Sequence, residues 1–250
     1  MLFLHPTLKR IAVFAVFLAL LWPGTAASAQ NYAELDKYTE EAGEMSMLFR
    51  GKQGMSYSFP FNGTYYWYSR DFQRGDVFYN GKLYPGVLVN VNAHLQELLV
   101  KQDENFIPVL ADSGHVGWFT MGERRFVPRD ATGAADLPDG FYEVIFDGRS
   151  KLYKRVDKIL RKDSNNRNGA GIGYTDPNYN DRILDYFANR VNYYFIQDGT
   201  VHSVKRWRDI VSRYPGQKKD LKRLAKALKD SDQGFDSLAA AILKHAEDNE

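Results

Sequence analysis

Gly75 to Lys101 reads G-D-V-F-Y-N-G-K-L-Y-P-G-V-L-V-N-V-N-A-H-L-Q-E-L-L-V-K. At its centre Asn80-Gly81 stands between two apolar-alternating arms. This is the strongest local signal for a two-residue hairpin, because both turn positions need a positive φ, which Asn and Gly tolerate. Val77 and Tyr79 precede the turn. Val87, Val89 and Val91 follow it at a period of two, with Asn90 and Asn92 between them, as in a half-buried strand. A tight break at Asn92-Ala93-His94 leads into a third arm, Leu95 to Val100. Three strands meandering in so short a span form a seed on which further antiparallel strands add.

Outward from this seed, the N-terminus reads as an export leader. Lys9 and Arg10 supply a positive start, Ile11 to Trp22 an apolar run, and Ala27-Ser28-Ala29 a small-residue cleavage site, so cleavage is expected after Ala29. The apolar run is short of the roughly 20 residues a membrane-spanning helix needs, and no later segment is a candidate span. The chain has no cysteine, which excludes a cysteine-linked lipoprotein anchor, disulfides and thiolate metal sites. Without Lys9 and Arg10, 31 basic residues face 31 acidic ones. A formally neutral chain has no global field to attract nucleic acid. Periplasmic or outer-membrane-associated localisation is the expectation.

Residues 30–50 carry Tyr32, Leu35, Tyr38, Ala42, Met45 and Leu48 at helical spacing, so an N-terminal helical arm is expected there. Thr64 is followed by four adjacent aromatics, Tyr65, Tyr66, Trp67 and Tyr68. Four rings on one strand cannot all face one core. Either the strand is covered on both faces, or the run is an exposed platform for a glycan or protein partner. Short strands are expected at 106–110, 116–121 and 124–127, and hairpins at Asp147-Gly148 and Asp198-Gly199. Lys151 to Leu160 is basic and reads as a strand with one wet face, or as an edge guarded by lysines. The polar stretch from Arg161 to Asp181, with Tyr174 and Tyr179, is long enough for a functional loop. In the tail, Leu221, Leu224, Ala225 and Leu228 share one face of a lysine-rich helix, and Phe235 to His245 form a closing helix.

Catalytic signatures are absent from the sequence. His94, His115, His202 and His245 form no ligand-spaced pair. Gly169-Ala170-Gly171-Ile172-Gly173 lacks the preceding strand and following helix of a dinucleotide loop. Asp176 to Asp181 offers oxygen ligands without the spacing of a calcium loop. No cofactor and no metal are expected.

Two stretches carry a resemblance. One is the hairpin Gly75 to Val100. The other runs from Val191-Asn192-Tyr193-Tyr194-Phe195-Ile196-Gln197-Asp198-Gly199 through the lysine-rich helix to His245. Together they are similar to a group of uncharacterised secreted envelope proteins common in Bacteroidota. A tyrosine pair expected near the end of the last helix is replaced here by His245-Ala246-Glu247. The resemblance implies an envelope protein and no catalytic residues.

The expected fold is mainly β (α+β): about ten strands in an antiparallel meander over 51–204, as a curved sheet or partly closed barrel, with a helical unit over 205–250. The expected function is non-enzymatic binding of an envelope protein or glycan, with Tyr65, Tyr66, Trp67, Tyr68, Tyr174 and Tyr179 as the candidate surface. The alternatives are a hydrolase with two carboxylates about 5–10 Å apart and a lipid carrier with an empty barrel interior.

Overall fold

A computed structural model describes residues 46–162, 185–229 and 234–249, which fall in one compact unit, Glu44–Glu250. The leader, most of the arm at 30–50, and Tyr174 and Tyr179 lie outside the described residues. Within the arm's expected range, Met47–Phe49 forms a single 3-10 turn that buries Leu48.

Ten antiparallel strands form one sheet: β1 (Gln73–Tyr79), β2 (Lys82–Asn92), β3 (Glu97–Lys101), β4 (Val109–Leu110), β5 (Val116–Met121), β6 (Arg124–Pro128), β7 (Phe141–Asp147), β8 (Lys151–Lys162), β9 (Asp185–Gln197) and β10 (Thr200–Val204). The spatial order is β10-β9-β8-β7-β6-β5-β1-β2-β3-β4. Two meanders, β1 to β4 and β5 to β10, therefore join where β1 pairs with β5, at Val77↔Phe119 and Phe78↔Trp118. The sheet has two ends and is not a closed barrel. Three helices follow it: α1 (Trp207–Val211), α2 (Lys218–Lys229) and α3 (Phe235–Asp248).

The quoted hairpin forms as its turn chemistry dictates. Asn80 (φ 49°) and Gly81 (φ 75°) both take the left-handed region, as a type I′ turn requires. Asp198 and Gly199 repeat the device between β9 and β10. Asp147-Gly148 does not. There Asp147 pairs with Lys151, and the three-residue loop between them is held from outside by α3. Glu247 accepts from the Arg149 amide (2.9 Å), the Ser150 amide (2.7 Å) and Ser150 Oγ (2.6 Å).

Cross-strand registers align one row across the sheet: Tyr84, Val77, Phe119, Phe126, Glu143, Lys154, Tyr193 and Val204, from β2 through β1, β5, β6, β7, β8 and β9 to β10. Residues directly opposite in register share a face. The apolar stretch of this row from Tyr84 to Phe126 belongs to a core with Val89, Val91, Leu98, Val100 and Val156. Near its other end, Val204 packs with Leu152 and Phe195 under the helices, against Ile210, Leu221, Ile242 and Leu243. A smaller core on the opposite face holds Tyr142, Tyr153 and Ile196. The exposed lysines of α2 surround a buried Leu221 and Ala225, as the spacing predicts.

The reading of residues 151–160 as a wet-faced or edge strand is corrected. β8 lies between β7 and β9, and Leu152, Lys154, Val156 and Lys158 share one face, all of them buried. Of the strand expected at 106–110, only Val109–Leu110 pairs.

Candidate binding cleft

Residues 53–72 run as an extended strap rather than a regular strand. Trp67 donates to Val91 (2.9 Å) and Ala93 to Tyr65 (2.9 Å), so the strap continues the line of β1 beside the end of β2. Further back, Asn62 and Phe187 exchange backbone bonds with Asp185 and Asn62, which ties the strap to β9. The irregular stretch between leaves carbonyls without ladder partners, and the buried Asn90 amide donates to two of them, Ser69 O and Asp71 O, at 3.1 Å each. Buried carbonyls need such partners.

The four aromatics nominated from sequence separate along this strap. Trp67 is 2% exposed and meets Phe126 edge-on in the core. Tyr65 joins a cluster of rings with Tyr57, Phe61 and Phe187, and Tyr66 stacks beside Tyr65 and reaches Phe72. Tyr68 points to the seam between the two larger cores. The run is therefore divided between the ring cluster and the core, and the neighbours Trp67 and Tyr68 both pack against the core that holds Phe126.

At that seam the row described above turns polar. Glu143, 4% exposed, and Lys154 are cross-strand partners 3.3 Å apart. Tyr68 donates to Glu143 Oε2 from the strap side. From the helix side, Asp236 in the first turn of α3 accepts from Lys154 (2.6 Å) and from the Tyr193 hydroxyl (2.5 Å). Burial and the bond to Glu143 push the Tyr68 hydroxyl up to about 12. Burial alone would lower Lys154, but Asp236 and Glu143 outweigh it and hold the ammonium above its ordinary range. Two carboxylates meet here, but Lys154 lies between them and pairs with both. The arrangement is a lock between strap, sheet and helix.

Two residues further along the same face, past Val156, the contrast is complete. Lys158 is 6% exposed, has no ion pair among the described residues, and is pushed down by burial. Its backbone is pinned instead: Lys158 N donates to Ala93 O (3.0 Å), and His94 Nδ1 donates to the Lys158 carbonyl (2.6 Å).

Two open concavities lie around the turn between β2 and β3. Gln96 takes a left-handed φ of 58°, which is uncommon outside glycine and asparagine. Its amide donates to Ala93 O (3.1 Å) and Val156 O (2.8 Å) and accepts from the Phe141 amide (3.1 Å). On one side of it lies a hollow of about 440 Å³ lined by Leu95, Phe141, Arg129, Asp130 and Asp139. On the other lies one of about 550 Å³ lined by Arg50, Lys52, Tyr79, Glu97, Leu110 and Asp112. Gln96 and Ser113 line both.

Local sequence builds the second hollow. A Cβ on Gly51 would lie 1.8 Å from Leu110 O, so only glycine lets the chain press against β4, and Arg50 and Lys52 flank that contact. Leu110 donates to Lys52 O at 2.8 Å. Burial pushes the Glu97 carboxyl up. Its Oε2 and the Tyr57 hydroxyl are shut from solvent and have no hydrogen-bond partner among the described residues. Asp112, by contrast, is engaged with the Gly114 amide (3.0 Å) and His115 (3.1 Å).

No family model, curated protein or solved structure matches the chain. Its chemistry must therefore be read from its own residues. Among those described, no group of three His, Asp or Glu side chains could hold a metal, and no helix is long and apolar enough to cross a membrane. Sequence reading missed Arg50, Lys52, Gln96 and Glu97. The one local signal was Gly51, the residue directly after the expected helical arm.

Proposed function

We propose that the chain is an exported, non-catalytic protein of the bacterial envelope that binds a small polar ligand in the cleft centred on Gln96. One observation carries the reading: two hollows of about 440 and 550 Å³ meet at Gln96 and Ser113, each in the size range of ligand sites. Support comes from the wall, where polar groups lie over an apolar floor of Tyr79, Leu110 and Phe141. Three hydrogen bonds hold the Gln96 side chain in place, so this wall of the cleft is preformed and binding orders little. The leader read from the sequence supports export.

The test is amide NMR of the chain from Gln30 to Glu250 against defined amino acids, dipeptides and saccharides. Shifts centred on Gln96 and Ser113 with at least one of these probes are expected. A panel without effect at these residues overturns the binding reading. Export is checked separately by fractionating bacteria that express the full chain. A cytosolic protein still beginning at Met1 overturns it.

A further inference from the structure

Within that cleft, we infer that the hollow beside Glu97 takes a small zwitterion, an amino acid or short peptide whose ammonium meets Glu97 and whose carboxylate meets Arg50 and Lys52. This rests on reading the cleft as a ligand site. The acid half is Glu97, which is half-buried, lines the hollow and has no ion pair or hydrogen bond to its carboxylate among the described residues. A carboxylate that has lost water without gaining a donor is costly, and an incoming ammonium at its open side offsets that cost. Asp112, the other acid lining the hollow, already accepts from the Gly114 amide and from His115, which leaves Glu97 as the acceptor in need.

The basic half is Arg50 and Lys52, which line the same hollow. Both are exposed, and neither has an ion pair among the described residues. Their backbone is not free to retreat, because Gly51 between them abuts Leu110. Two cations and an acid lining one hollow match a ligand with charges of both signs. A neutral saccharide would leave all three charges unanswered. Tyr79, Leu110 and Ala111 supply an apolar floor for a short side chain, and about 550 Å³ is room for a dipeptide.

Calorimetric titration of the chain from Gln30 to Glu250 with Ala-Ala, N-acetyl-Ala-Ala and Ala-Ala amide reads both halves. Ala-Ala is expected to bind, and blocking either end is expected to weaken it about tenfold or more, the usual loss for a charged hydrogen bond. Glu97→Gln should remove the penalty for acetylation but keep the penalty for amidation, and Arg50→Met with Lys52→Met should do the reverse. The inference is overturned if the three peptides bind within about twofold of one another, or if the variants do not separate the two penalties. Because the peptides are compared on the unaltered protein first, a misfolded variant does not decide the matter. If no peptide binds while a saccharide shifts Gln96 and Ser113, the zwitterion assignment falls and the binding reading stands. If no probe acts at the cleft, both fall.

Discussion

Lys154 and Lys158 lie on one strand, on one face, four residues apart, and both are buried. One is held charged by Glu143 and Asp236; the other meets no carboxylate among the described residues and is pushed toward neutrality. Nothing in β8 itself makes this difference. It comes from the elements that cover the strand. Over Lys154, the strap brings Tyr68 and α3 brings Asp236; Lys158 is covered at the β2–β3 turn, whose contacts are with its backbone. A buried charge is an asset or a liability according to what a distant part of the chain delivers.

The largest effect should come from breaking the satisfied site. Lys154→Met strands Glu143 and Asp236 and should cost about 3 kcal/mol, at the lower end for broken buried pairs because Arg124 still reaches Glu143. Urea unfolding measures it. A cost within error of zero would mean the seam is not a lock.

Lys158→Met should instead stabilise the fold, by about 1 kcal/mol. The sign follows from linkage. A lysine whose folded pKa lies below its unfolded value binds more protons when unfolded, so its cost is full below the folded pKa and fades as pH rises from there to the unfolded value. The advantage of the methionine variant should therefore shrink in alkali. An advantage that grows with pH would show that Lys158 has found an anion.

Asn189 faces Lys158 across the ladder, so Asn189→Asp should give the unpaired lysine what Lys154 already has. A gain of about 0.5 kcal/mol and an upward move of the Lys158 pKa, read by NMR, are expected. An unmoved pKa would show that register alone does not bring the two groups together.

The last effect is confined to alkali. The Tyr68 pKa is raised to about 12, so the folded state keeps a proton that the unfolded state releases near its ordinary value of 10. The stabilisation is present below pH 10 and is lost between about 10 and 12. Tyr68→Phe should flatten that part of the stability profile, while a profile identical to that of the parent would remove Tyr68 from the lock.

The sequence made the local geometry legible where a backbone requirement leaves a residue signature. Asn80-Gly81 and Asp198-Gly199 need positive φ, and the face of α2 repeats at helical spacing. Pairing of β1 with β5 left no such mark, since Val77 and Phe119 meet only once the second meander has formed. The same limit explains the misreading of β8. Lys154 and Lys158 look solvated in a one-dimensional pattern because their burial depends on α3, the strap and the β2–β3 turn. Trp67 was nominated for exposure because four rings stood together; the irregular strap instead seats it against Phe126 in the core. Glu97 gave no local cue, because an unpaired carboxylate oxygen is a property of the space around it.

The grip of Glu247 on the loop at Arg149 and Ser150 gives the order of synthesis a structural meaning. During translation the hairpin of β7 and β8 is made long before the residue that fastens it, since Glu247 follows Ser150 by 97 positions. The seam likewise waits for Asp236. A chain cut short before Glu247 leaves the Arg149 and Ser150 amides without the carboxylate that holds them, so the loop is fastened only once α3 has been made.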